Sequence, residues 1–314
     1  MNERSDIRSF RVTSRDLAGI NRKPSASIFG LKVAAWVLGL SVGFLGMIFG
    51  HGAILWCSAI LAGAFMAHGV ELSHQALHGT GFRGSRANRI VGVFLALPMF
   101  VSYSEYQASH LHHHQTLGTP DDREFWVYSD GGKPSLVGAL RHLFIVNHYI
   151  HAIQSMFRSI IGLSLPNIPL SHCSRVRQEY QFMLFLICAA VGSALGTGHW
   201  DVVLAWFGAL LWVAGPIHAL IELPEHHGCD KTTTNVFVNT RTIKSNKFMT
   251  WFTNGNNYHV EHHAASGIPM QSLDKLHQNI YYRINVYCPT YREFYWSVVR
   301  QWIVKYARNR EMEA

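Results

Sequence analysis

The sequence contains little charge for a soluble protein of its length. Only 15% of its 314 residues are Asp, Glu, Lys or Arg, whereas 48% are hydrophobic. Soluble domains carry about 25% charged residues. A disordered tail and a small secreted domain are both excluded, because the chain is long and apolar enough to bury a large core.

Cysteine is also scarce, and the few that occur are scattered. They form no C-x-x-C pair and are odd in number: Cys57, Cys173, Cys188, Cys229 and Cys288. This spacing excludes a disulfide framework and a thiolate site for zinc or an iron–sulfur cluster. Histidine is abundant instead, with 20 residues against 19 acidic ones. A metal site with imidazole ligands is therefore the first hypothesis.

Two long stretches lack Lys and Arg altogether. One lies between Lys32 and Arg83, and the other lies between Arg177 and Lys231. The net charge of +8 raises the question of nucleic-acid binding. Such binding needs basic residues on one folded face and a recognition motif, and we find no such motif. We therefore predict no nucleic-acid partner.

Each of the two stretches has the length of two membrane-spanning helices. The first divides into Leu31–Phe49 and Ala53–Ser73, and the second divides into Glu179–Leu195 and Val202–Ile221. A helix rising about 1.5 Å per residue needs roughly 20 residues to cross the hydrocarbon. We predict an all-α integral membrane bundle of four transmembrane helices, arranged as two hairpins, with a cytoplasmic helical cap.

The basic residues predict the orientation of these spans. The turns of the two hairpins carry no Lys or Arg, so the remaining segments carry all 27. By the positive-inside rule, both termini and the cap face the cytoplasm of a multi-pass cell-membrane protein. The polar first segment is too long and too charged for a signal peptide. We predict a cytoplasmic N-terminal segment at 1–27, a membrane domain with its cap at 28–290 and a cytoplasmic C-terminal tail at 291–314.

Histidine is concentrated in four clusters. They read HQALH at 74–78, HLHHH at 110–114, HH at 226–227 and HVEHH at 259–263. Helix residues three and four apart share a face, so these spacings present two or three imidazoles together. The candidate ligands are His74, His78, His110, His113, His114, His226, His259, His262 and His263. One tetrahedral metal takes four protein ligands or fewer, so this set suits two metal ions.

The fourth cluster leaves a choice between two neighbouring histidines. If the helix continues, His227 points about 100° away from His226, while Glu222 faces the same way as His226. We favour His226, with Glu222 either as a ligand or as an acceptor for the second N–H of His226.

His112 is an extra histidine inside its cluster, the second one. Five histidines outside the clusters lack this spacing and are predicted at the interface or surface: His142, His148, His151, His172 and His277.

With these clusters in this order, the sequence resembles the membrane fatty acid desaturase superfamily. Its mark is three histidine boxes, which read here HQALH, HLHHH and HVEHH. The resemblance also includes Asn256-Asn257-Tyr258 before the third box and Gly267-Ile268-Pro269 after it. It implies two non-haem irons held by the nine histidines named above, with O₂ as co-substrate. No haem-binding H-P-G-G occurs, so a separate electron donor is implied, such as a ferredoxin or rubredoxin with its reductase.

Iron is implied by the reaction and the superfamily, because zinc suits imidazole ligands but has no redox chemistry. We predict an O₂-dependent desaturase that introduces a carbon–carbon double bond into a hydrophobic acyl chain. Two alternatives stay open: a hydroxylase, ketolase or small-metabolite desaturase of the same superfamily, and a divalent-metal transporter or sensor. Gly63, Ala64, Ala67 and Gly69 fit either a substrate slot or close helix packing.

Overall fold

A computed structural model describes residues 12–122 and 135–313, with side chains as far as residue 304. Almost all regular structure in these residues is helical, which confirms the predicted all-α class. The α-helices are α1 (Ala26–Phe49), α2 (Ala53–Leu77), α3 (Ser85–Ala96), α4 (Tyr103–Thr116), α5 (Leu136–Leu143), α6 (Val146–Ile160), α7 (Leu170–Thr197), α8 (Trp200–Ala209), α9 (Gly215–His226), α10 (Val236–Asn239), α11 (Lys247–Phe252), α12 (His259–Ala264), α13 (Leu273–Ile280) and α14 (Tyr291–Glu313). Two short strands, β1 (Thr242–Ile243) and β2 (Tyr287–Cys288), pair in parallel.

Among the described residues, four helical segments are each long and apolar enough to cross a membrane, as predicted, and the bent pair Ser85–Met99 and Tyr103–Thr116 passes the same test only when taken together. They are α1, α2, α7 and the segment Trp200–His226, which comprises α8 and α9. The third begins earlier than predicted, at Leu170. Its first turns are polar, and Arg177 there donates to the carbonyl oxygen of Leu163 at 2.9 Å. The helix therefore begins before its apolar stretch, with polar turns at its N-terminal end.

A wide turn of π-helix, Leu210–Ala214, joins α8 to α9. Pro216 has no N–H to donate, so the regular ladder cannot continue through this point. The N–H of Gly215 bonds instead to the carbonyl of Leu210, which also accepts the hydroxyl of Tyr149 at 3.1 Å. One extra residue rotates everything that follows by about 100°. This turn therefore sets which way the side chains at the start of α9 point.

The chain divides into two compact units. The span unit comprises Lys23–Leu111 and Arg141–Leu220, and the C-terminal unit comprises Met1–Arg22, His112–Leu140 and Ile221–Ala314, each as far as it is described. The core of the span unit includes Met47, Met66 and Leu210. The core of the C-terminal unit includes Phe237, Leu273 and other apolar residues of α10 to α13. The domain boundaries predicted at residues 27 and 290 stay a prediction.

Two acidic groups, the buried Glu179 and the half-buried Glu105, fix the beginning of α4 within the span unit. Glu179 of α7 accepts the backbone N–H of Ser104 at 2.9 Å and the hydroxyls of Ser104 and Ser102 at 2.6 and 2.7 Å. Glu105 accepts the Tyr180 hydroxyl at 2.6 Å, and its other oxygen lies 2.7 Å from His151. A carboxylate that satisfies the first N–H groups of a helix stabilises that end. These contacts position the helix that carries the second histidine cluster.

Close helix packing, rather than an open slot, surrounds Gly63 of α2. A Cβ atom built there would lie 2.6 Å from the Cβ of Val213 and 2.7 Å from the carbonyl oxygen of Ala209. Gly69 is packed in the same way against Trp36 and Leu95. At these two positions the structure therefore favours the packing interpretation of the small residues.

Replacing Gly63 with Ala is expected to destabilise the span unit by about 1–3 kcal/mol, because backbone must move to admit the methyl group. Gly208 of α8 is the matched control, since a Cβ there meets no atom within 4 Å. Gly208→Ala should leave stability unchanged or raise it slightly, because Ala is the better helix former. The midpoint of thermal unfolding in a fixed detergent measures both. Equal midpoints for the two variants would contradict the packing interpretation.

Candidate metal centre

Three of the predicted ligands meet in the span unit. His74 lies in the last turn of α2, His78 follows directly after that helix, and His110 lies on α4. The Nε2 atoms of His74 and His110 are 2.8 Å apart. The ring centroid of His78 lies 5.1 Å from that of His74 and 5.2 Å from that of His110. The first histidine pair and the start of the second cluster therefore share one site.

Four more predicted ligands meet in the C-terminal unit. The Nε2 atom of His226 lies 3.3 Å from that of His113 and 3.2 Å from that of His259. The Nε2 atom of His263 lies 3.1 Å from that of His259. All four side chains are buried or nearly so. Residues from three separate histidine clusters thus direct the same ring nitrogen toward one point.

The remaining two predicted ligands, His114 and His262, also contact each other in the C-terminal unit. Their Nε2 atoms are 3.0 Å apart. The His114 ring stacks on that of His263 at 4.1 Å between centroids. Every one of the nine predicted histidines therefore lies against another member of the set.

The other ring nitrogens show which tautomers these histidines adopt. The Nδ1 atom of His226 lies 3.0 Å from the backbone carbonyl oxygen of Asn239, which can only accept a hydrogen bond. The Nδ1 atom of His113 lies 2.9 Å from a carboxylate oxygen of Asp122, which accepts likewise. Both Nδ1 atoms therefore carry the proton. In the neutral rings, each Nε2 then presents a bare lone pair.

The same reasoning applies to His259. Its Nδ1 atom lies 3.0 Å from Oδ1 of Asn256, whose amide nitrogen donates to Glu225 at 2.6 Å. That second bond fixes the amide with its oxygen toward His259, so Nδ1 of His259 donates. Lone pairs of His113, His226 and His259 thus converge at hydrogen-bond distance without a proton between them. A bound metal ion would satisfy such an arrangement, because it accepts several imidazole lone pairs at once.

The spacing of these nitrogens fits a metal ion. Imidazole nitrogens bind first-row metals at about 2.0–2.1 Å, so two neighbouring ligands of one ion lie about 3 Å apart. The observed separations are 2.8–3.3 Å. Metal ligation by histidine also typically uses one ring nitrogen while the other donates to a carboxylate or carbonyl. The residues present therefore fit a bound metal both in distance and in tautomer.

Burial keeps the His78 and His263 rings in the neutral form that binds metal. It lowers the pKa of His78 well below the usual value of 6.5, and neighbouring His74 lowers it further. Burial likewise lowers the pKa of His263 well below 6.5, with His114 and His259 adding to the effect. A histidine whose pKa is lowered stays neutral at physiological pH, and the neutral ring is the metal ligand.

Glu225 is a further candidate ligand that sequence reasoning missed. One of its carboxylate oxygens lies 3.2 Å from Nε2 of His259, and the acid groups with His226 and His259 within metal-binding distance. Helical periodicity favours Glu222 instead, because it lies one turn before His226. The acceptor for Nδ1 of His226 is the backbone carbonyl of Asn239. His227 packs against the ring of Phe294, as expected if His226 is the ligand.

The third box also holds a buried acid that the sequence analysis did not assign. Glu261 is fully buried, accepts the hydroxyl of Thr242 at 2.6 Å and pairs with Nδ1 of His277. His277 is therefore a partner of the third box rather than a surface histidine. The signal in the sequence was an acid between two ligand histidines on a short helix.

The turn before the third box explains how its ligands are positioned. Asn254 and Gly255 both have positive φ, at 53° and 86°. A Cβ on Gly255 would lie 3.0 Å from the carbonyl oxygen of Met270, so glycine is needed for space as well as conformation. Asn257 then donates to the carbonyls of Ile243 and Lys244 at 2.8 and 3.1 Å. This tight turn starts α12 with His259 directed at His226.

The histidines without ligand spacing have other contacts. Nε2 of His112 lies 3.1 Å from the backbone oxygen of Asp121. His148 bonds to the carbonyl of Met99 at 2.9 Å, and His151 pairs with Glu105. The contact of His112 with Asp121 separates this extra histidine of the second box from the ligand set.

The geometry agrees with comparison to known proteins. The family model described as Fatty acid desaturase matches residues 51–297. The chain belongs to the fatty acid desaturase family. Membership confirms the resemblance predicted from the three boxes. With four apolar helices of spanning length, this fatty acid desaturase family member is a membrane protein.

Two curated relatives are similar to much of the chain. The dihydrorhizobitoxine desaturase of Bradyrhizobium elkanii is 29% identical over 233 residues, which cover 69% of this chain and 65% of the relative. The sn-1 oleoyl-lipid 12-desaturase of Picosynechococcus sp. is 22% identical over 275 residues, which cover 80% of this chain and 71% of the relative. The chain thus spans just under two thirds of the length of the first relative.

Proposed function

We propose that this desaturase family member is an O₂-dependent membrane oxidoreductase that introduces a carbon–carbon double bond into an acyl chain. The observation that carries the proposal is the convergence of Nε2 lone pairs from His113, His226 and His259. Each of these rings donates its other N–H to a fixed acceptor. A metal ion would satisfy these buried bases, and this supports the proposal.

The proposed cofactor is a pair of non-haem irons. The nine histidines predicted from the sequence would hold them, and Glu225 would add a carboxylate ligand. Mixed imidazole and carboxylate ligands suit redox-active iron, whereas closed thiolate sites suit structural zinc. When bound, iron would supply the activation of O₂ that removal of hydrogen from an unactivated methylene requires.

The chain's own residues would orient and insulate this centre. Asp122, Asn239 and Asn256 hold the Nδ1–H groups of three ligands and so fix the direction of each ring. Their acceptor oxygens also raise the basicity of those rings. The buried surroundings exclude bulk water, which protects a reactive site from side reactions. Histidine resists oxidation better than a cysteine thiolate in such a site.

The substrate is proposed to be a lipid acyl chain that enters from the bilayer. The chain lies in the membrane, and one relative is named for an oleoyl lipid. The second candidate is a desaturase of a small metabolite, which the name of the more similar relative favours, since that protein is named for dihydrorhizobitoxine. The site would face the cytoplasm, with both termini, and receive electrons from a ferredoxin or rubredoxin with its reductase.

The test is expression of the full chain in a host supplied with a ferredoxin and its reductase, followed by metal analysis and mass spectrometry of lipids and small metabolites. We expect two irons per chain, O₂ consumption and lipid acyl chains that have lost two hydrogens. Products that gain an oxygen would indicate a hydroxylase, and a changed small metabolite would indicate the second candidate. Exchangeable zinc without O₂ consumption would overturn the proposal in favour of a metal transporter or sensor.

A further inference from the structure

The last helix, α14, contacts the rest of the C-terminal unit through the face that carries Phe294. Phe294 is buried at 4% exposure, with the guanidinium carbon of Arg241 4.8 Å from its ring centroid. The ring of His227 meets the same phenylalanine edge-on at 6.3 Å. Phe294 therefore marks the face of α14 that contacts the rest of its unit.

The opposite face of α14 is apolar and exposed. Trp296, Val299 and Ile303 are 72%, 48% and 56% exposed. Their spacing of three and four residues places them in one stripe along the helix. At about 100° per residue, Trp296 points roughly 160° away from Phe294. The stripe thus faces away from the body on which the helix packs.

Positive charge flanks this stripe. Arg292 and Arg300 lie four residues before and after Trp296, within about 40° of its direction, and both are exposed. One acid, Glu293, lies on the same side. Further along the sequence come Lys305, Arg308 and Arg310. A helix with tryptophan and aliphatic residues beside arginines has the composition of helices that lie in a membrane interface.

We infer that α14 lies on the surface of an anionic bilayer. Trp296, Val299 and Ile303 are buried at the boundary between headgroups and acyl chains, and Arg292 and Arg300 contact lipid phosphates. Charge complementarity supports this occupant, because a membrane that carries anionic lipid attracts basic residues near its surface. A second copy of the chain fits the stripe poorly. A stable dimer interface needs roughly 20–30 residues on each side, and the stripe offers three apolar side chains.

The experiment is a nitroxide scan of α14 in the full-length protein. Single cysteines replace Trp296, Val299 and Ile303 in turn, with Ser297→Cys and Gln301→Cys as controls on other sides of the same helix. The background carries serine at the four exposed or half-exposed natural cysteines: Cys57, Cys173, Cys188 and Cys288. The buried Cys229 is kept, and the unsubstituted background measures its labelling. The labelled proteins are placed in nanodiscs that contain anionic and zwitterionic lipid.

We expect labels at the stripe to be accessible to O₂ and shielded from a water-soluble nickel chelate, and labels at Ser297 and Gln301 to show the reverse. The accessibility ratio should oscillate with the 3.6-residue period of the helix. Uniform exposure to the nickel chelate would overturn the inference. Dipolar broadening between labels on separate chains would also overturn it, because a second copy would then cover the stripe.

Lipid charge provides an independent arm of the test. The double change Arg292→Gln with Arg300→Gln removes two positive charges and leaves the apolar stripe intact. In nanodiscs rich in anionic lipid, this variant should bring the label at Val299 closer to water, whereas in purely zwitterionic nanodiscs it should change little. Equal depth of the label in both lipids, with and without the arginines, would overturn the role of anionic headgroups.

Discussion

Replacing His226 with Ala is expected to abolish turnover and to lower the iron content, whereas the same change at His227 leaves both nearly unchanged. Nε2 of His226 lies between those of His113 and His259, at 3.3 and 3.2 Å, so its removal leaves a gap in the centre of the ligand set. Loss even of a residue that orients a ligand costs 10–100-fold in metal affinity or activity. Loss of a ligand should cost about 100-fold or more.

His227 is the matched control because it is the same residue type one position further along. Its ring contacts Phe294 rather than the ligand histidines in the contacts described. Iron per chain, turnover and the thermal unfolding midpoint are measured for both variants. Equal loss of activity in the two, or normal iron content in His226→Ala, would remove His226 from the proposed centre. A normal yield of membrane-inserted His226→Ala protein shows that the loss is local.

The sequence predicted much of this arrangement because the informative signals are local. Twenty apolar residues without charge indicate a span by themselves, and i, i+3, i+4 spacing places imidazoles on one face of a helix. The nine histidines could therefore be chosen before any coordinates. Their grouping could not, because which cluster meets which depends on tertiary packing. The contact of His113 with His226 joins residues 113 positions apart, and that of His226 with His259 joins residues 33 positions apart.

Glu225 illustrates what helical periodicity misses. A straight helix through 222–226 directs Glu222 along His226, and that reasoning selected Glu222. The bond that occupies Nδ1 of His226 instead comes from the backbone of Asn239, a residue beyond the end of the helix. Asn256 draws Glu225 toward His259 by a 2.6 Å hydrogen bond. A backbone acceptor and a side chain fixed by a distant amide leave no pattern in the sequence.

Asp122 is the residue whose contribution can be separated most cleanly from that of the ligands. Its side chain is fully buried, and one carboxylate oxygen lies 2.9 Å from Nδ1 of His113. Asp122→Asn keeps the shape but removes the negative charge, so His113 loses basicity and part of its orientation. We expect the affinity for iron to fall about 10–100-fold, with turnover falling in parallel at limiting iron.

Asp121 is the matched control for Asp122. It is an exposed aspartate one residue earlier. Its backbone oxygen, rather than its side chain, contacts His112. Competition for ferrous iron against a chelator of known affinity measures Asp121→Asn and Asp122→Asn side by side. If Asp122 acts by holding His113, excess iron should restore most of the turnover of Asp122→Asn. A variant that stays inactive with its iron fully bound would show that the carboxylate takes part in the reaction itself. Unchanged affinity in both variants would mean that His113 needs no negative charge beside Nδ1, and the role given to the Asp122 carboxylate would then lose its support.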